Sequence, residues 1–463
     1  MKSNAVQEND LRILIIGDGK VGSTLIERLS KEDHDIVVID TNPKVIENAV
    51  NSYDVMGVVG NGASYTILKE AEADKADIII AATNSDELNI LACLVAKKIG
   101  AKHTIARVRS PEYSKQLQFL KYELGLSMVI NPEYETAAEI YRILRFPSAI
   151  KLDVFCKGKV EMAEVQIGEN SILDNTKLID LYDKIKVKVI IGAIQRGEEV
   201  FIPKGNFVIK NNDIIHITAS HKDLSEFLKA LGIYKDRLKN IMIIGGGKIA
   251  YYLANMLSET NMNVTIVEID EKRCVELSEA LPKARIVYGN GTDQMLLAEE
   301  GIYDADAVIP LMGIDEENII LSLYANKHNV PKTITKINNS SLVELLGTLN
   351  TGSVVSPRKV TADRIVRYAR ALQNSEGSMV NTLYRIVNNK AEALEFLITD
   401  DTLPVLHIPL KNLKFKQNIL VACIIRNNKL IYPAGMDTIE VGDNVIVISP
   451  AEQYIKEFQD IME

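Results

Sequence analysis

Cysteine is scarce in this sequence, and nothing in its spacing puts it to work. Four of the 463 residues are cysteine. Cys93, Cys156, Cys274 and Cys423 stand far apart and form no CxxC pair. The six histidines are dispersed as well. No zinc-site spacing is present, so a metal centre is not expected. The thiols read as buried structural residues. Long apolar runs are missing too. Runs such as Ile78-Ile79-Ile80-Ala81-Ala82 are strand-sized, well short of the ~18–20 residues a membrane helix needs. Residues 1–10 are polar and lack a signal-peptide core. The chain is therefore expected in the cytosol, reaching a membrane only through a partner. An excess of positive charge is also absent. The formal net charge of −9 argues against a nucleic-acid-coating surface, and no nucleic-acid partner is expected.

What the chain has is length, a globular composition and an internal repeat. With 47% apolar and 25% charged residues, it can bury several cores of ordinary size. Ile15-Ile16-Gly17-Asp18-Gly19-Lys20-Val21-Gly22 returns 228 residues later as Ile243-Ile244-Gly245-Gly246-Gly247-Lys248-Ile249-Ala250. Asp40 returns as Glu268 at the same offset. Gly60-Asn61-Gly62 and Asp86-Glu87-Leu88-Asn89 return at an offset of 229 as Gly289-Asn290-Gly291 and Asp315-Glu316-Glu317-Asn318.

Each half alternates short apolar runs with amphipathic stretches. In the first half, strands are predicted over 11–16, 35–39, 55–59, 77–82, 103–108 and 128–130. Helices are predicted over 20–30, 43–51, 64–71 and 87–99, and a longer one runs from Pro132 to the stop at Phe146-Pro147. This is the pattern of an α/β, doubly wound parallel sheet. From 148 the texture changes to short strands over 160–166, 187–195, 200–202 and 214–218, divided by Gly, Asn and Asp turns, then a helix over 222–231. Lys235-Asp236-Arg237 marks a linker. The expected organisation is two tandem Rossmann-like domains, 11–147 and 240–373, each followed by a small α+β module, 148–231 and 377–463. Pro203, Gly205 and Asp213 match Pro433, Gly435 and Asp443 at an offset of 230. There they read as turn builders.

The glycine loops carry the chemistry. Gly17-x-Gly19-x-x-Gly22 lies between a strand and a helix, the context that a dinucleotide loop requires. Gly17 permits the tight turn, Gly19 the approach of a pyrophosphate, and Gly22 close helix–strand packing. The helix start at Lys20-Val21 presents free N–H groups and a positive dipole end to phosphates. Asp40 ends the second strand, where a carboxylate accepts hydrogen bonds from an adenosine ribose and repels a 2′-phosphate. NAD(H) is thus favoured over NADP(H). ATP, ADP and AMP present the same ribose, and the choice between dinucleotide and mononucleotide stays open. Asn61 against the adenine, Thr83-Asn84 towards the phosphates, and Arg107 as a phosphate cation complete the first site. For these four, ordinary turn chemistry or a surface ion pair is the competing reading. In the second half, Gly245, Gly246, Gly247, Lys248, Ile249 and Glu268 repeat the loop and acid. Met312-Gly313 replaces Thr83-Asn84, and Lys336 replaces Arg107 without its forked geometry. Weaker or different binding is expected there.

Beyond the loops, the stretches Ala82-Thr83-Asn84-Ser85-Asp86-Glu87-x-Asn89 and Ile105-Ala106-Arg107-Val108-Arg109-Ser110-Pro111-Glu112-Tyr113, with helix starts at Pro132 and Pro357, make the chain resemble the tandem RCK (KTN) family over residues 11–463. That resemblance implies a nucleotide held by the glycine loop, Asp40, Thr83-Asn84 and Arg107, and in the second half by 245–249 and Glu268. Asn61 stands where a family acid is common, and Asp18 brings negative charge to the phosphates. The Met312-Gly313 stretch departs from the family's Thr-Asn or Ser pattern. The resemblance further implies a homotetramer forming a ring of eight RCK domains beneath a Trk-type potassium-translocating membrane protein. NAD(H), ATP or ADP would change the ring's shape and so gate potassium flow. Some relatives bind cyclic di-AMP in the C-terminal module, and the sequence leaves that open here. The rival reading is an NAD-dependent oxidoreductase. It lacks a candidate general acid or base, since His216 and His221 have no counterparts in the second module. A nucleotide sensor serving another partner is the third alternative.

Overall fold

The computed structural model of the chain describes residues 11–463 except 33, 114–120, 122, 146–150, 156–159, 170, 234–237, 340–341, 343–351, 376–379, 388–389, 454 and 456. Cys156, the expected stop at Phe146-Pro147 and the linker Lys235-Asp236-Arg237 lie outside the described residues. The chain forms two compact units. One contains 1–141 with 239–369, the other 142–238 with 370–463. Like is grouped with like: the first unit holds both glycine loops, the second both small modules.

In the first unit, strands β1 (Arg12–Ile16), β2 (Asp35–Asp40), β3 (Met56–Val59), β4 (Ile78–Ala81), β5 (His103–Arg107) and β6 (Met128–Ile130) form one sheet in the order β3-β2-β1-β4-β5-β6. Every pairing in it is parallel. Parallel strands need crossovers. These are α1 (Lys20–Leu29), α2 (Pro43–Ser52), α3 (Tyr65–Glu70) and α4 (Asp86–Ile99), with α5 (Pro132–Arg145) leaving the sheet. The central strand is covered on both faces, so Ile13, Leu14 and Ile15 are fully buried. Each such side chain contributes roughly 1.5–3 kcal/mol. Local signals agree with the packing. Asn42 caps α2 by accepting the Lys44 N–H, with Pro43 in the first turn. Ser85 caps α4 by accepting the Leu88 N–H, and Lys97 and Lys98 close its last turn.

The second half repeats this. It has α6 (Leu181–Ile185) and α7 (His221–Ala230) between it and the first sheet in sequence. Its strands β12 (Asn240–Ile244), β13 (Asn263–Glu268), β14 (Ala284–Tyr288), β15 (Ala307–Pro310), β16 (Lys332–Lys336) and β17 (Ser353–Val355) take the order β14-β13-β12-β15-β16-β17. Its helices are α8 (Lys248–Leu257), α9 (Glu271–Ala280), α10 (Gln294–Glu299), α11 (Asp315–Lys327) and α12 (Pro357–Ser375). The division between the units falls inside α5 and α12.

The second unit holds two antiparallel five-stranded sheets. The first is built from β7 (Lys151–Phe155), β8 (Val160–Gln166), β9 (Ile190–Arg196), β10 (Glu199–Phe201) and β11 (Ile214–Ala219), in the order β10-β9-β11-β8-β7. The other is built from β18 (Val380–Ile386), β19 (Ala391–Leu397), β20 (Leu420–Arg426), β21 (Lys429–Ile431) and β22 (Asn444–Pro450), in the order β18-β19-β22-β20-β21. Strand β7 and helix α6 were not foreseen. Val160, Met162 and Ala193 of one sheet share a core with Ala391, Ala393, Cys423 and Ile448 of the other.

The matched aspartates do more than turn the chain. Arg196 donates from Nε to Asp213 Oδ1 at 2.7 Å and from an Nη to Oδ2 at 2.8 Å. The Lys210 N–H adds a third bond at 2.8 Å. Arg426, Asp443 and the Glu440 N–H repeat the arrangement. Both aspartates are fully buried. Asp213→Ala leaves the partly exposed arginine and the Lys210 N–H without their acceptor and should destabilise the chain by about 1–3 kcal/mol, read as a lower urea midpoint.

Candidate functional site

The first glycine loop joins β1 to α1 where the strand order reverses, with β2 on one side and β4 on the other. This is the crevice where ligands of such sheets sit. Its three glycines have distinct roles. Gly17 has φ +92°, and a Cβ there would lie 2.9 Å from the Thr83 backbone nitrogen. A Cβ on Gly22 would lie 2.0 Å from the Gly17 carbonyl oxygen. A Cβ on Gly19 would face open space, with nothing within 4 Å. The sequence reading assigned Gly22 to helix–strand packing, but the atom that forbids a side chain is the loop's own carbonyl. Gly19 caps α1 without a side-chain bond. The first-turn N–H groups of Lys20, Val21 and Gly22 are thereby left for an anion.

Asp40 is brought to this loop and also braces it. Its Oδ2 accepts the Asp18 N–H and its Oδ1 the Asn42 N–H, both at 2.9 Å. An ionised carboxylate has about four lone-pair sites, so two acceptors remain for ribose hydroxyls. Glu268 does the same for the second loop. Its Oε2 accepts the Gly246 N–H at 2.6 Å and its Oε1 the Asp270 N–H at 2.9 Å. The bracing role was not visible in the sequence. Nor were Val59 and Tyr288. Each lies directly across from the acid on the neighbouring strand and is exposed, an apolar surface for a base. Both immediately precede a Gly-Asn-Gly triplet, a usable signal.

The remaining predicted residues divide. Thr83 is tied to the start of α4. Its N–H and Oγ1 both donate to Asn89 Oδ1, at 2.8 and 2.7 Å. Asn89 in turn donates to the carbonyls of Thr83 and Arg107, at 3.2 and 2.9 Å. Asn84 is exposed at the loop tip and its carbonyl accepts from Arg109. Asn61 Oδ1 accepts the Ala63 N–H at 3.0 Å in an Asx turn. Arg107 reaches the loop, donating from Nη1 to Thr83 O at 3.2 Å. Its Nε is buried with no protein acceptor. Burial, and next the neighbouring Arg109, lower its pKa, against the pull of Glu133 and Asp86. An anion at the loop would satisfy it.

Asp18 is the strained partner. Burial, and next the Asp40 charge, push its pKa up to about 6. Its Oδ1 is buried without a hydrogen bond. A carboxylate whose folded-state pKa is raised carries a penalty above that pKa, and the penalty lifts as pH falls through it. A phosphate in the loop would add to the repulsion. Nucleotide affinity at the first site should therefore rise severalfold from pH 7.5 to 5.5. In Asp18→Asn the affinity should be higher and nearly flat, which titration at the two pH values checks.

The second site differs in its cations. Lys336 is only 9% exposed, and its Nζ donates to the carbonyls of Leu311 and Met312. Burial lowers its pKa. Its charge is thus spent on the stretch that replaces Thr83-Asn84. Asn318 repeats Asn89, accepting the Met312 N–H at 2.9 Å and donating to Lys336 O at 3.1 Å. Arg273, which the sequence reading missed, donates from Nε to Gly246 O at 2.9 Å. Gly247 caps α8 without a side-chain bond, leaving the N–H groups of Lys248 and Ile249 available as at the first site.

This loop-and-acid geometry, present twice, has counterparts among known proteins. The TrkA-N domain family matches residues 13–132 and 241–357, and the TrkA-C domain family matches 162–232. The chain belongs to the TrkA family. A Trk system potassium uptake protein TrkA homolog from Methanosarcina mazei is 32% identical to this TrkA-family chain over 460 residues, covering 96% of it and 100% of the relative. The Trk system potassium uptake protein TrkA of Halomonas elongata is 29% identical, covering 98% and 99%. Among solved structures, the GsuK channel bound to NAD superposes with a TM-score of 0.61 at 19% identity, covering 96% of the TrkA-family chain and 78% of its own. The GsuK RCK domain gives 0.61 at 18%, covering 96% and 94%. The fold is that of tandem RCK units. No helix among the described residues is long and apolar enough to cross a membrane, and no cluster of metal-ligating residues is found among them.

Proposed function

We propose that this potassium-uptake protein is a nucleotide-sensing regulatory subunit acting from the cytoplasmic side on a Trk-type potassium-translocating membrane protein. The observation that carries the reading is the duplicated brace: Asp40 and Glu268 each hold their glycine loop by two backbone N–H groups while keeping lone pairs for a ribose. The ligand carries an adenosine ribose and phosphates, as NAD(H), ATP, ADP and AMP do. The Asp40 carboxylate repels a 2′-phosphate, so NADP(H) is disfavoured. Cyclic di-AMP belongs in the same binding panel, with the small modules as its place. The chain is a sensor and not an oxidoreductase. Asp18 and Asp40 face the phosphate and ribose end, and His221 is engaged with Glu161 at 3.2 Å within the small module.

A nucleotide acts on the partner only if it favours one assembly geometry over another. The assembly proposed is a homotetramer with eight RCK domains in a ring. An apolar side chain stands exposed at the same place on equivalent helices: Leu91 on α4, 51% exposed, and Ile320 on α11, 63% exposed. These repeated positions are where domain-to-domain contacts around the ring are placed. Leu91→Asp combined with Ile320→Asp should break the tetramer into smaller species, measured by light scattering with nucleotide present. Wild-type chain that remains monomeric under those conditions would sink the ring.

A further inference from the structure

The two glycine loops are not symmetrically connected. Helix α8 starts at the second loop, and the Tyr251 N–H donates to Gly247 O at 3.0 Å. The next residue, Tyr252, is buried and contacts the other half of the same unit. Its hydroxyl accepts from Asn131 Nδ2 at 2.9 Å and donates to Arg109 O at 3.4 Å. Its ring packs edge-on against Tyr134, with centroids 5.6 Å apart. Asn131 caps α5: its Oδ1 accepts the Tyr134 N–H and its carbonyl the Glu135 N–H, both at 2.9 Å. Arg109 reaches into the first site, donating from its guanidinium to Asn84 O, while its backbone N–H donates to Asp86 at 2.9 Å.

From these contacts we infer that Tyr252 couples occupancy of the second loop to the first crossover helix, α5, and to the Asn84 edge of the first site. Tyr252 is five residue steps along the helix from Gly247, about 7.5 Å at 1.5 Å per residue. Over that length a helix moves as a rigid rod. A loop that closes on phosphate therefore carries the tyrosine hydroxyl with it. The hydroxyl holds the side chain that caps α5, so the first turn of α5 registers the movement.

The reverse connection is built differently: from α1, which starts at the first loop, Arg28 donates to Asp363 of α12. The position matching Tyr252 is Thr24, whose short side chain donates to Lys20 O of its own helix at 3.1 Å. Ser356 stands in place of Asn131, and Lys359 in place of Tyr134. Among the described residues a tyrosine hydroxyl at a crossover-helix cap occurs once, at Tyr252. The binding energies it couples are still reciprocal, as linkage requires.

The inference rests on the nucleotide reading of the second loop, and the test separates the two. The intact Asp40→Ala chain, weakened at the first site, is titrated with NAD⁺ and with ATP. Hydrogen exchange is followed at the α5 amides of residues 134 and 135. Nucleotide binding should slow that exchange by roughly fivefold or more. Adding Tyr252→Phe, which keeps the ring and removes only the hydroxyl, should leave the binding heat within about twofold but abolish the slowing. Slowing that survives Tyr252→Phe, or is absent while heat is released, overturns the coupling and leaves the nucleotide reading intact. Heat that is absent, or unaffected by Glu268→Ala, removes the second-loop reading and the coupling with it.

Discussion

Gly22→Ala should weaken nucleotide binding at the first site by roughly a hundredfold, although the equivalent residue in the second half already is alanine. The added methyl would sit 2.0 Å from the Gly17 carbonyl oxygen. That oxygen belongs to backbone whose N–H donates to Ile39 O at 2.8 Å, so no side-chain rotation relieves the clash. Overpacking of this kind costs about 3 kcal/mol, equivalent to roughly a hundredfold in affinity if the loop itself absorbs the displacement. Ala250 provides the internal control. The second loop accommodates a Cβ at this position, so Ala250→Gly should change second-site affinity by less than about twofold. Equal, mild effects from the two substitutions would mean that the loop geometries are not what separates the sites.

Asp40→Ala has an effect of similar size for a different reason. It removes the ribose acceptor and also the oxygens that receive the Asp18 and Asn42 N–H groups. Hydrogen bonds to a charged group contribute about 1.5–3 kcal/mol each. Loss of the brace alone would cost tenfold or more, and loss of the ribose contact adds to it. Asp40→Asn keeps one acceptor and should fall between wild type and alanine. Asp40→Ala should also lower the pH midpoint assigned to Asp18. It removes the second cause of that raised pKa and leaves the burial.

The parallel sheets were legible because their strands are continuous apolar runs between glycine and asparagine turns, and helices follow each with caps such as Ser85 and Asn42 in plain view. The small modules were less so. Strand β7 carries alternating charge in Lys151-Leu152-Asp153-Val154-Phe155, which breaks the apolar run that marks the parallel strands. The five-residue α6 is too short for helical periodicity to register. Nor does sequence order announce that the modules pair with each other: Gly192 is small because Ile448 of the other module packs there, 2.1 Å from where its Cβ would be. At the site, the glycines and the acids were readable as types. Their second roles were not, because bracing depends on which backbone N–H groups the fold brings within reach. Thr83 shows the limit most clearly. The sequence places it towards the phosphates, and the fold adds that its hydroxyl donates to Asn89.

The central claim is that both braced loops sense adenine nucleotides. The most direct test is calorimetric titration of the intact chain and of Asp40→Ala/Glu268→Ala with NAD⁺, NADH, ATP, ADP, AMP and cyclic di-AMP. Binding of at least one adenine nucleotide by the wild type, lost in the folded double variant, is the predicted result. Unchanged affinity in the double variant, or no binding of any of the six by the wild type, would contradict the claim.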